Sequence, residues 1–231
     1  VVHSTTKSMT ASGFAIGGAV VARHGITTDI GPDDMRDNFA MYVKLLPFRD
    51  HGPSVSPFNA LMTINDLRPL RHRMDSMSST SMQVAQCLEG HDHIDRVAYP
   101  GVASMPGHEI AARTMWLVDG TDDYGTEVNR YGHLLSFEVK GGAAAARKVF
   151  DGFEMIWRAT DLGRIKSVAT IPCISTHQQQ GDDGRELAAV PPNLIRLNVG
   201  GEHPDDIIAD LDRALSALDR SSIVTPVRSD A

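Results

Sequence analysis

A chain of 231 residues with 42% apolar and 22% charged side chains has the composition of a globular protein with a substantial core, in one large domain or two modest ones. Its formal net charge of −7 speaks against a nucleic-acid or anionic-membrane surface. Cys87 and Cys173 are too few for a disulfide scaffold, no apolar run approaches the ~20 residues of a membrane span, and the opening residues lack a signal peptide's pattern, so a cytoplasmic protein is expected.

In chain order, "VVHS" reads as the end of a strand, and Ile16 to Ala22 ("IGGAVVA") as a second short one. Asp33 and Asp34 are placed to cap a helix through "DDMRDNFAMYVKLL", and Gly52, Pro53 and Pro57 break it. One long helix is expected from Phe58 to about Glu89, with a domain boundary near residue 58. "IDRVAYPG" reads as a strand and "MPGHEIAARTMWLV" as the start of a helix. Leu134 to Val139 alternate apolar and polar, the clearest strand signal in the chain. "AAAARKVFDGF" follows as a helix, "NLIRLNVGG" as a strand, and "HPDDIIADLDRALSAL" as a helix with Asp205 and Asp206 in its first turn. Strands interleaved with helices point to an α/β or α+β arrangement.

Chemistry concentrates around Lys7. It follows a strand and sits among Ser4, Thr5 and Thr6, close to Gly13, Gly17 and Gly18. Hydroxyls donate to phosphate oxygens, glycines admit a bulky ligand, and a partly desolvated lysine amine attacks a carbonyl carbon. Pyridoxal phosphate needs that combination. On residue types alone a solvated surface lysine is the commoner case; a dinucleotide loop is the rival for the glycines, but no G-x-G-x-x-G is present. His91 and His93 ("GHDH") read as a solvated turn rather than a metal pair, and the ten methionines as core filling. No metal ligands are assigned.

Read together, "VVHSTTK", "GPSVSPFNAL", "YPG", "GHLLSFEVKGG", "ATDLGRIKSVATIPCISTH" and "LIRLNVGGE" occur in the order and spacing of one family. Over residues 1 to 218 the chain resembles the Cys/Met-metabolism pyridoxal-phosphate enzymes, a group that includes cystathionine γ-synthase, cystathionine γ-lyase, methionine γ-lyase and O-acetylhomoserine sulfhydrylase. The resemblance implies an α/β, fold-type-I architecture. Residues 1–58 would end the large cofactor domain, 59–222 would form a linking helix and the small carboxy-terminal domain, and 223–231 a tail. It implies pyridoxal phosphate as cofactor and elimination or replacement at the γ-carbon of a homoserine-, cystathionine- or methionine-like amino acid. Lys7 matches the lysine that holds the cofactor as an imine and then shuttles protons, and Ser4 and Thr6 match phosphate-binding hydroxyls. Arg196 matches the arginine that grips the substrate α-carboxylate, for which a guanidinium fork is suited. Thr176 matches a threonine near that carboxylate.

Some positions depart from the family pattern. "SMTASG" replaces the usual aromatic and glycine-rich turn after the lysine, and Gln178 to Gln180 follow Thr176-His177. Asp161 stands where a small polar residue is usual, and a carboxylate there repels a substrate carboxylate unless Arg196 or another cation offsets it. The segment "WLVDGTDDYGTEVNRYG" is longer than usual. The family's amino-terminal half carries an aromatic ring that stacks on the cofactor and an aspartate for its pyridine nitrogen; neither has a counterpart here. The expectation is a split or truncated enzyme, completed by an amino-terminal-half polypeptide or a missing segment of the same chain, in a homo- or hetero-oligomer such as a dimer of dimers. The alternatives are a non-catalytic structural or regulatory subunit, against which the set Ser4, Thr6, Lys7 and Arg196 argues, or a β-lyase of the same family.

Overall fold

The structure is a computed structural model and describes residues 1–219, apart from 24, 26–28, 30, 34, 35 and 122–124. Asp34 and the expected tail 223–231 therefore lie outside the described residues. The chain forms two compact units, one spanning Val1–Leu70 and one beginning at Arg71.

In the first unit β1 (Val2–Ser4) pairs antiparallel with β2 (Gly18–Val20), in the register Val2↔Val20, His3↔Ala19 and Ser4↔Gly18. Helix α1 (Phe39–Val43) starts later than the sequence suggested. Its cap is Asn38, whose side chain accepts the N–H of Met41 at 3.1 Å, so Asp33 lies before the helix. The helix also runs further, through a wide π turn at Lys44–Phe48 into α2 (Arg49–His51), and ends at Gly52. Pro47 is tolerated inside it, because the wide turn accommodates a residue with no N–H to donate. Ser56 caps α3 (Pro57–Leu67) by accepting the Asn59 N–H at 3.1 Å, with Pro57 in the first turn, where a missing N–H costs nothing.

The single long helix expected from Phe58 to Glu89 is two. α3 stops at Leu67 and α4 (Leu70–Glu89) begins after Arg68-Pro69. The apolar period carries across the break, but Pro69 cannot donate the next helical hydrogen bond and its ring crowds the preceding turn.

The second unit is built on a five-stranded sheet. Its strands are β3 (Ile94–Ala98), β6 (Leu134–Val139), β7 (Trp157–Arg158), β8 (Val168–Thr170) and β9 (Leu194–Asn198), in the order β3-β6-β9-β8-β7. All neighbours are antiparallel except β7 and β8. The long connection before β6 holds a separate ribbon of β4 (Trp116–Thr121) and β5 (Glu127–Asn129), following the short helix α5 (His108–Thr114). Thus "MWLV", expected to continue a helix, is mostly strand. Helices α6 (Gly142–Asp151), α7 (Gly181–Leu187) and α8 (Pro204–Ser216) complete the unit.

The core follows the sequence periods. Leu135, Phe137 and Val139 point inward at every second position of β6. Ile207, Leu211, Ala214 and Leu215 form one helical stripe on α8, each large side chain contributing about 1.5–3 kcal/mol by leaving water. Asp210 interrupts that stripe and is also buried. It accepts the N–H groups of Glu154, Met155 and Ile156 at 2.9–3.1 Å and pairs with Arg213. Burial alone would raise its pKa; the three N–H donors and the guanidinium outweigh that and hold it below the usual carboxylate range.

Candidate active site

Lys7 lies in the turn that follows β1, as the cap of a 3-10 segment at Ser8–Thr10, and its carbonyl accepts the Thr10 N–H at 2.9 Å. It is half-buried. The turn that carries it is tied across to the start of β2. Thr5 donates its N–H to the Gly17 carbonyl at 3.0 Å, and the Thr6 hydroxyl donates to the same carbonyl at 3.2 Å while accepting the Gly17 N–H at 3.1 Å. A side chain at residue 17 would place its Cβ 2.7 Å from the Thr5 hydroxyl, so any larger residue there would require that hydroxyl to move. Helix α3 secures the intervening loop: Asp66 accepts the Ser12 N–H at 3.1 Å and its hydroxyl at 2.5 Å, and Asn59 donates to the Ile16 carbonyl at 3.0 Å.

The donor set of this turn, one primary amine and nearby hydroxyls, fits a ligand with an aldehyde and a phosphate. Ser4 lies exposed at the strand end. Thr6 has a single O–H, and here it is committed to Gly17, so any phosphate contact through Thr6 competes with its own turn.

In the second unit Arg196 lies on β9, opposite Ser136 of β6 and Thr170 of β8. Its Nη2 donates to the Thr160 carbonyl at 2.8 Å and to the Asp161 carbonyl at 3.4 Å. Burial pulls the guanidinium pKa down, and the nearby Asp161 carboxylate pushes it back up. Asp161, expected to disturb a substrate carboxylate, is also engaged by its own loop. Its Oδ1 accepts the N–H of Leu162 at 2.9 Å and its Oδ2 pairs with Nε of Arg164. Thr176 is exposed and hydrogen-bonds His177 Nδ1 at 2.9 Å, and Gln178–Gln180 form an exposed 3-10 turn beside it.

Four residues given no individual role in the sequence hold this cluster. Asn198 accepts the Gly163 N–H at 2.7 Å and donates to the carbonyls of Arg164 and Lys166 at 3.3 and 3.1 Å. Glu202 accepts the Ser167 N–H at 2.8 Å and its hydroxyl at 2.9 Å, and that hydroxyl accepts the Gly200 N–H at 2.9 Å. Arg164 completes the set through Asp161. The one signal in the sequence is Asn198, a second polar residue on β9, two positions from Arg196.

His91 and His93 are not a solvated turn. They are largely buried, and Nε2 of each faces a carboxylate, Asp212 at 3.6 Å and Asp219 at 2.9 Å respectively. Among the described residues no group of three or more His, Cys, Asp or Glu side chains is arranged to hold a metal ion, and no helix is long and apolar enough to cross a membrane.

This sheet with its helices, preceded by a lysine in the turn after a strand, is the architecture of fold-type-I pyridoxal-phosphate enzymes, and solved structures of that class share it. Cystathionine γ-synthase from Xanthomonas oryzae pv. oryzae, solved with aminoacrylate and cysteine, superposes with a TM-score of 0.79 at 31% identity, over 96% of this chain and 50% of that one. The putative O-acetylhomoserine (thiol)-lyase of Campylobacter jejuni, which carries N′-pyridoxyl-lysine-5′-monophosphate, superposes with a TM-score of 0.77 at 28% identity, over 93% of this chain and 53% of its own. In sequence, O-succinylhomoserine sulfhydrylase of Pseudomonas aeruginosa is 33% identical over 94% of this chain and 47% of its own length. L-Methionine γ-lyase of Porphyromonas gingivalis is 31% identical over 94% and 48%. The chain belongs to the Cys/Met metabolism PLP-dependent enzymes, whose family model matches residues 1–216. It spans about half the length of the curated relatives it matches.

Proposed function

We propose that this chain contributes the cofactor lysine and the substrate-carboxylate site of a cytoplasmic pyridoxal-phosphate enzyme. Its reaction is elimination or replacement at the γ-carbon of a homoserine-, cystathionine- or methionine-like amino acid. The relatives are about twice as long as the chain, and the proposal places the rest of the site on residues of the family's amino-terminal half, on the same polypeptide or a second one within an oligomer. Bound, the cofactor supplies an electron-withdrawing ring that stabilises negative charge on the substrate carbons.

The chain's own residues do the rest. Lys7 Nζ would hold the cofactor at its aldehyde carbon and, as a free amine, would take the proton from the substrate Cα and return protons toward Cβ and the leaving group. The Ser4 hydroxyl would donate to the phosphate, and Thr6 could join it only by releasing Gly17. Arg196 offers its remaining donors to the α-carboxylate, and Thr176 stands by in the adjoining turn. The carrying observation is Arg196: a half-buried guanidinium whose hydrogen bonds go to the main-chain carbonyls of residues 160 and 161, with the Asp161 carboxylate nearby but hydrogen-bonded to Leu162 and Arg164. Such a cation is poised for an anionic ligand.

The test is an assay of the assembled protein against O-acylhomoserines, cystathionine and methionine. The reading predicts γ-product formation that disappears in Lys7→Ala and a KM that rises at least tenfold in Arg196→Ala. An assembled protein that binds no pyridoxal phosphate contradicts it.

A further inference from the structure

Assigning the α-carboxylate to Arg196 raises a physical problem. Asp161 lies beside it, and a carboxylate next to a guanidinium competes with any substrate for it. The structure resolves the competition through a third residue. The Asp161 carboxylate is held from two sides, by the Leu162 N–H at 2.9 Å and by Nε of Arg164; Arg196 hydrogen-bonds the main-chain carbonyl of Asp161 at 3.4 Å, while the carboxylate reaches it through its charge.

Arg164 is held in turn. Asn198 fixes the backbone on both sides of it, accepting from Gly163 at 2.7 Å and donating to the carbonyls of Arg164 and Lys166. Asn198 lies two residues from Arg196 on β9, on the same face of the strand. One strand face therefore presents the guanidinium and anchors the loop carrying Arg164. Two guanidinium groups and one carboxylate leave a single positive charge, enough to balance one substrate carboxylate.

We propose that Arg164 is a positioning residue of the substrate site: by holding the Asp161 carboxylate it keeps Arg196 open to the α-carboxylate of an amino-acid substrate. The proposal rests on the role given to Arg196 above. Without Arg164 the Asp161 side chain swings to Arg196 and closes the site from within.

The experiment measures binding of L-norleucine, a methionine-shaped amino acid without a γ leaving group, to the assembled holoenzyme by calorimetry. KM and kcat are followed in parallel for a reacting substrate. Arg164→Ala and Arg164→Gln raise the norleucine Kd about tenfold, with KM rising more than kcat falls. Adding Asp161→Asn to Arg164→Ala recovers most of that loss, a rescue that simple loosening of the loop does not produce. Wild-type binding in the Arg164 variants, or a double variant as weak as Arg164→Ala, overturns the proposal. If Arg196→Ala weakens binding while Arg164→Ala does not, the carboxylate role of Arg196 stands and this proposal alone fails. If Arg196→Ala binds as wild type, both fall.

Discussion

The hydroxyl of Thr6 makes two hydrogen bonds to one residue, donating to the carbonyl of Gly17 and accepting its N–H. This reciprocal clasp fixes the turn beside Lys7 against the start of β2. Thr6→Ser keeps the hydroxyl and is expected to leave stability within about 0.5 kcal/mol of wild type. Thr6→Val keeps the shape but loses both bonds, at a cost of about 1–3 kcal/mol for two part-buried interactions. Denaturant unfolding of the two variants side by side measures the difference. Equal midpoints for the two mean that the clasp contributes nothing.

Asp210 is expected to contribute to the acid limb of stability in the second unit. Its folded-state pKa is depressed, so the stabilisation is fully present above the ordinary aspartate pKa, about 3.9, and is lost as pH falls through the lower folded value. Asp210→Asn leaves backbone donors of residues 154–156 facing an amide and is expected to cost about 2–4 kcal/mol at neutral pH. Unfolding free energies of both proteins, measured from pH 7 downward, should converge below about pH 4. A gap that stays constant with pH removes this explanation.

Gly200 marks the tightest packing near Arg196. A Cβ there would collide with the Glu202 carboxylate, the Ser167 nitrogen and the Ile165 carbonyl. Gly200→Ala is therefore expected to destabilise by about 2–4 kcal/mol, because two of those three atoms are backbone and cannot step aside. Glu202→Gln retains the shape and loses the charge that faces Lys166 at 3.6 Å, so its effect should be smaller, about 1 kcal/mol. Thermal unfolding ranks the two. The reverse order would show that the loop is held by charge rather than by fit.

Regular elements with a strong period are legible in the amino-acid sequence alone. β6 occupies Leu134–Val139 as expected, because one face is buried and the alternation is strict. α8 likewise matches its apolar stripe and acidic first turn. The split of α3 from α4 is hidden because Leu67 and Leu70 continue the apolar period while Pro69 breaks the hydrogen bonds. β7 and β8 are hidden because they are two and three residues long, too short for a period to register. Of the residues proposed for cofactor and substrate, Ser4, Thr6, Lys7 and Arg196 are legible as residue types in a recurring pattern. Arg164 is not, since its partner depends on a turn that brings residue 161 to residue 164. The commitment of the Thr6 hydroxyl is equally invisible, because it joins positions 6 and 17 across a loop.

The whole functional assignment turns on Lys7 being the residue that holds pyridoxal phosphate. Borohydride reduction of the assembled holoenzyme, followed by peptide mapping with mass spectrometry, is the decisive test. The expected outcome is a pyridoxyl adduct on the peptide containing Lys7, absent from Lys7→Ala prepared in the same way. An adduct on another lysine, or none on a protein that retains the cofactor, would rule out this role for Lys7.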